Sequence, residues 1–241
     1  MNSMELKGNK ISVDSLARVA GFSYLFGIAI VMFGYFYVSA SLIVQGNASE
    51  TARNIMAHET LFRINIACDL LYIINVIILF TALYLILKPV NRGLALATVF
   101  FRLVYALTWV VVAFNMLNAL TILSDHSYLH VFETDRLQAL ARLELRGGFN
   151  VYYIGLPFWA LASTICNYLF LMSRFIPRVL AVFGIITSVW CVFCAFAFIA
   201  FPNFDKVVDI SLFDFPMVII ETITGFWLLL KGIKILEQSS V

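Results

Sequence analysis

Three ionisable residues, Asp69, Arg102 and Glu221, lie inside long apolar runs, where a side chain of that type is costly to place. Buried acids and a buried guanidinium can neutralise one another, relay a proton, or hold a molecule that offers a matching charge or hydrogen bond. If the three helices are neighbours, one guanidinium can neutralise only one of the two carboxylates, and the other acid stays available as a general acid or base. Each group has polar or aromatic companions at helical spacing: Asn65, Asp69, Tyr72 and Val76 form one stripe, and Arg102, Tyr105, Trp109 and Val112 form another. Asp214, Glu221 and Gly225 align on a third segment, and Asn115, Asn118 and Thr121 continue a polar edge beyond Arg102. The candidates for ligand binding or proton relay are therefore Asp69, Arg102, Glu221, Asn65, Tyr72 and Tyr105. The competing reading is a folding lock with no ligand, because a satisfied buried pair can serve specificity alone.

The elements that must position these groups follow from composition. The chain of 241 residues is 62% hydrophobic and 12% charged, where a soluble domain carries roughly 45–50% and about 25%. A water-soluble fold cannot hide that much apolar surface. Spanning about 30 Å of hydrocarbon takes about 20 helical residues, and six runs qualify, at 20–44, 62–87, 94–123, 152–172, 179–201 and 213–230. The expected fold is all-α, one polytopic membrane domain of six helices over residues 1–241 with short interfacial helices on the outer side. The first run is longer than a signal peptide's h-region and has no cleavage site, so it reads as a retained helix. The outer segments 49–61 and 132–145 are helix-compatible; Asn47 to Thr51 offers caps for the first, and Leu137, Leu140 and Leu143 suggest that the second lies along the interface.

Small residues mark packing seams within lipid. Ala20, Gly27, Gly34 and Ser41 recur at seven in the first run, and Ala181, Gly184, Ser188, Cys191 and Ala195 alternate by three and four in the fifth. That second seam supplies the plain reading of Cys191 and Cys194, which otherwise resemble a redox pair but lack the basic neighbours a thiolate needs. Cys68 and Cys166 also sit in apolar runs. Pro157 and Pro216 should kink or cap the fourth and sixth helices.

Depth and topology come from the same spacing. At about 1.5 Å per residue, Asp69 and Glu221 fall about 10 and 12 Å below the outer face and Arg102 about 18 Å below it, a gap that an Arg side chain can close. With the N-terminus inside, the inner loops hold nine basic residues, Lys7, Lys10, Arg18, Lys88, Arg92, Arg174, Arg178, Lys231 and Lys234, against Arg53, Arg63, Arg136, Arg142, Arg146 and Lys206 outside. That bias puts both termini in the cytoplasm and the chain in the plasma membrane.

Familiar catalytic signatures are missing: there is no H-E-x-x-H, G-x-S-x-G, Walker loop or dinucleotide fingerprint. His126 and His130, near Asp125 and Glu133, have the i, i+4 spacing of a two-imidazole metal site if helical, with His58 and Glu59 as completing ligands; water-exposed loop histidines are the alternative. No metal or cofactor is expected. The net charge of +2, spread along the chain, gives no footprint for nucleic acid. The expected partner is the lipid bilayer, with a small-molecule ligand as a further candidate; Phe-rich faces suit lipid or another subunit equally.

Several stretches resemble a bacterial membrane family, domain of unknown function 4386. They are Ala17-Arg18-Val19-Ala20-Gly21, Ser49-Glu50-Thr51-Ala52-Arg53-Asn54-Ile55 with Glu59-Thr60-Leu61-Phe62-Arg63, and Leu87-Lys88-Pro89-Val90-Asn91-Arg92 leading to Phe101-Arg102-Leu103. Phe175-Ile176-Pro177-Arg178 and Trp227-Leu228-Leu229-Leu230-Lys231-Gly232 extend the resemblance from residue 16 to 231. The resemblance implies that Asp69, Arg102 and Glu221 occupy acidic, arginine and acidic positions of one pattern, and it implies no activity. Tyr105, where an acid often follows the arginine, and Gly147-Gly148, where His or Asp is frequent, depart from the pattern. The leading expectation is a membrane protein that binds or conducts a small molecule or proton. The rivals are an intramembrane enzyme using Glu221 or Asp69 on a lipid-soluble substrate, and a sensor or assembly subunit.

Overall fold

A computed structural model describes residues 3–124, 127–129, 131–201 and 203–233, with side chains from residue 13 onward except at 128. Among these residues the regular structure is entirely helical: α1 Ser3–Phe33, α2 Ala40–Leu42, α3 Ala48–Ala57, α4 Glu59–Leu87, α5 Arg92–Leu123, α6 Thr134–Ser173, α7 Arg178–Ala200 and α8 Phe215–Leu230. A π-turn, Gly34–Ser39, joins α1 to α2, one 3₁₀ turn precedes α6 and two precede α8. Six stretches are long and apolar enough to cross a membrane, Val13–Leu42, Glu59–Leu87, Arg92–Leu123, Thr134–Ser173, Arg178–Ala200 and Ile210–Leu230. Their outward faces are bare hydrocarbon, as at Phe100, Phe114, Phe183 and Ile186, each more than half exposed. The all-α membrane class follows.

Three local expectations need correction. The separate interfacial helix at 132–145 does not exist: α6 runs unbroken for 40 residues through Gly147, Gly148 and Pro157. A glycine costs about 1 kcal/mol inside a helix, and packing overrides that here. A Cβ on Gly147 would lie 3.5 Å from Asn115 Oδ1, and one on Gly148 would lie 3.6 Å from Asn115 Cβ, both ordinary contact distances, so α5 packs directly on this stretch of α6.

The seven-residue stripe of the first span also fails at its end. Ala20 and Gly27 are buried, but Ser41 is exposed while Val38 and Leu42 are buried. The i→i+5 bonding of the π-turn adds residues per turn and rotates the later face out of the earlier register. The third correction is to 49–61, which divides at His58 (φ −125°, ψ 37°) into α3 and the first residues of α4. The N-cap expectation holds, since Asn47 Oδ1 accepts from the Glu50 N–H at 3.0 Å and Asn47 Nδ2 donates to Glu50 Oε2 at 3.0 Å. Asp125, His126 and His130, and with them the two-histidine metal reading, lie outside the described residues.

The chain divides into two compact units, and α1, α4, α5 and α6 each contribute a segment to both. The first unit comprises residues 1–28, 75–105 and 156–241. There α1 meets α8 almost backbone to backbone: a Cβ on Gly21 would lie 2.7 Å from Gly225 O. The expected α7 seam is present, with Ala181, Gly184, Ser188, Cys191 and Ala195 all buried. Gly184 receives Asn167, whose Nδ2 would be 2.6 Å from an added Cβ, and Thr164 Oγ1 donates to Ser188 Oγ at 2.8 Å. Small residues thus buy close helix contact where apolar burial against lipid gives little drive. Asn75 Nδ2 donates to the Ser23 carbonyl at 2.8 Å and ties α4 to α1.

The second unit comprises residues 29–74 and 106–155. Its apolar core gathers Val38, Leu42, Ile55, Phe62, Ile66, Ala113, Leu120, Ala141 and Leu145. The buried face of α3, made of Thr51, Ala52 and Ile55, adds to it. Thr51 Oγ1 closes the preceding turn, accepting from Val44 N at 3.0 Å and donating to Val44 O at 3.2 Å.

Candidate functional site

In the first unit, α5, α6 and α8 deliver three polar side chains to one point. Arg102 Nη2 donates to Glu221 Oε1 at 2.8 Å, and the two side chains are only 3% and 8% exposed. Ser163 Oγ donates to the same oxygen at 2.6 Å and Trp159 Nε1 at 3.1 Å. Ser163 Oγ also accepts from Arg102 Nη2 at 3.1 Å, which closes a ring of charge-assisted bonds. The guanidinium carbon sits 4.3 Å over the centroid of Phe80, with Trp159 at 5.6 Å and Tyr105 at 5.8 Å. Tyr105 and Trp159 stack at 5.6 Å. The aromatic faces stabilise a cation that has lost its water.

The pairing of Arg102 with a carboxylate across the span is therefore formed with Glu221, and Tyr105 lines it as its spacing suggested. The sequence reading missed Phe80, Trp159 and Ser163. A signal was present for two of them: Trp159 and Ser163 are four residues apart, one face of a helix, and each is a hydrogen-bond donor inside an apolar run.

The bonding is uneven. Every donor converges on Glu221 Oε1, and among the described residues nothing is donated to Oε2. Among the described residues, Arg102 Nη2 makes both of the arginine's hydrogen bonds, and the buried Nε has no partner. A guanidinium carries five donor hydrogens. A lock built only to hold helices would be expected to use the bidentate fork.

Asn65, Asp69 and Tyr72 fall in the second unit, all on α4 and all buried, at 5%, 6% and 7% exposure. Asp69 makes no hydrogen bond or ion pair among the described residues. An ionisable side chain in mid-span costs roughly 2.5–3.5 kcal/mol on insertion scales and is expected to be paired. Asn65 Nδ2 makes one weak bond, to Met116 Sδ at 3.7 Å, and its Oδ1 is buried without a partner beside Gly34. The Tyr72 ring lies 4.7 Å from that of Trp109, which meets Tyr152 edge-on at 5.9 Å.

Helices clad in hydrocarbon with paired charge sealed inside them define an integral, multi-pass membrane protein. The chain belongs to the family described as domain of unknown function DUF4386, whose model matches residues 19–232. No curated protein and no solved structure matches it.

Proposed function

We propose that this membrane protein binds or conducts a small molecule or a proton at the Arg102–Glu221 pair. The reading is carried by one observation: a buried ion pair that leaves Arg102 Nε and Glu221 Oε2 without partners among the described residues. A ligand suited to it offers an acceptor to Nε and a donor to Oε2, as an amide, a carboxylic acid or a water chain does. Trp159, Ser163 and Phe80 hold the pair in place, and Tyr105 lines it. The lysine and arginine bias of the short loops supports both termini on the cytoplasmic side of a plasma membrane.

The test compares the parent protein with Glu221→Gln in detergent and in proteoliposomes. Thermal unfolding is followed against a panel of small carboxylic acids, amides and alcohols, and proton flux is followed with an internal pH-sensitive dye. The expected result is a saturable stabilisation or a flux in the parent that Glu221→Gln loses while still folding. A parent that responds to no compound and passes no protons would reduce the pair to packing.

A further inference from the structure

We infer that the Asp69 face of α4 in the second unit is a binding site for an organic ammonium ion. The inference shares no residue with the Arg102–Glu221 reading and stands apart from it. Asp69 lies ten residues into α4, about 15 Å along its axis, and is 6% exposed. Nothing donates to its carboxylate among the described residues. Asn65, four residues earlier on the same face, adds a second buried acceptor oxygen without a partner. The polar atoms that α4 itself leaves over on this face are acceptors, which selects for a donor or a cation, while the buried Trp109 indole N–H adds one donor among the rings.

Three residues after Asp69, the aromatic groups give that cation its class. Tyr72 and Trp109 pack at 4.7 Å, and Tyr152 stands at 88° to Trp109 at 5.9 Å. Tyr72 shares the α4 face of Asp69 by its i, i+3 spacing, and ring planes near a right angle, as in Trp109 and Tyr152, are the walls by which aromatic cages hold alkylated ammonium groups. An alkali ion would want a shell of oxygen ligands instead. Tyr152 is only partly buried, so the ring array reaches the accessible surface. An intramembrane acid with no internal partner is a functional-site hypothesis by default, and here its surroundings name the counter-ion.

The experiment uses the full chain in detergent, with choline as the probe and 3,3-dimethylbutan-1-ol as its neutral isostere. Unfolding temperature is recorded against concentration for the parent, Asp69→Asn, Trp109→Leu and Glu221→Gln. The expected result is a saturable rise of several degrees with choline and none with the alcohol, lost in Asp69→Asn and weakened in Trp109→Leu. Glu221→Gln should keep the response, which separates this site from the first-unit pair. Asp69→Asn removes a charge and adds no bulk, and size-exclusion chromatography confirms that it folds. A folded parent that does not respond to choline, or an equal rise in Asp69→Asn, would overturn the inference.

Discussion

Glu221 and Asp69 are both carboxylates hidden in spanning helices, yet the two units treat them differently. Around Glu221 the first unit assembles a guanidinium, a hydroxyl and an indole N–H on a single oxygen. Around Asp69 the second unit supplies no donor among the described residues. The helix contacts differ in the same sense. In the first unit Gly21 lets backbone meet backbone, whereas Gly34 in the second unit admits only the end of the Asn65 side chain. Burial alone therefore says little about a charge in a membrane; what matters is whether the fold has spent groups on it.

The comparison breaks most visibly at Arg102. Arg102→Met strands Glu221 among neutral donors and should cost about 3–5 kcal/mol in reversible unfolding from detergent. The double change Arg102→Met with Glu221→Met should recover most of that, because a buried ion pair is often no better than an apolar replacement. A single change that costs less than the double one would mean that the pair is not desolvated.

The two glycines come next in size. Gly21→Ala forces backbone apart and should cost about 1–3 kcal/mol, the usual range for overpacking. Gly34→Ala meets a side-chain amide that can turn aside, so its cost should stay under about 1 kcal/mol. Equal costs would show that Asn65 is held as rigidly as the α8 backbone.

Much of this was legible in the text. Apolar run length and punctuation gave the six spans, because hydrocarbon thickness sets helix length, and depth counted along helices brought Arg102 within reach of Glu221. The expected break between 145 and 152 is absent because Asn115 of α5 packs on Gly147 and Gly148, a contact from another helix that local sequence does not carry. No hydropathy pattern announces the π-turn that moved Ser41 off its seam, since it depends on backbone bonding and not on side-chain period. Phe80 escaped notice for a plainer reason. One phenylalanine among 23 carries no mark that it will stack on a guanidinium.

Asp69→Asn should leave stability within about 1 kcal/mol of the parent, since it removes no bond that the fold makes. Unfolding in detergent at neutral pH measures this beside Glu221→Gln, which gives up a charge-assisted bond to Arg102 and should lose more. A larger loss from Asp69→Asn than from Glu221→Gln would reverse the contrast between the units.

The smallest effect concerns an aspartate left in water. Asp209, in the loop before α8, accepts from the Ser211 hydroxyl and from the Ser211 N–H at 2.8 Å, and these bonds hold its carboxyl below the usual range. A depressed folded value means that the group adds stability above its unfolded pKa and loses that contribution as pH falls through the folded one. Ser211→Ala removes the hydroxyl, the larger cause, and keeps the backbone donor. The Asp209 midpoint, followed by carboxyl-labelled NMR, should therefore rise only part of the way to the ordinary value, with no change in unfolding at neutral pH. An exposed aspartate two residues from a serine collects its donors locally and at little cost. Asp69 has Cys68 and Leu70 as neighbours and no serine or threonine in its own turn, and no described residue donates to it, so it lacks the local donor that Asp209 has. An Asp209 midpoint indifferent to Ser211→Ala would remove the local-donor explanation, and with it the simplest account of why the two aspartates differ.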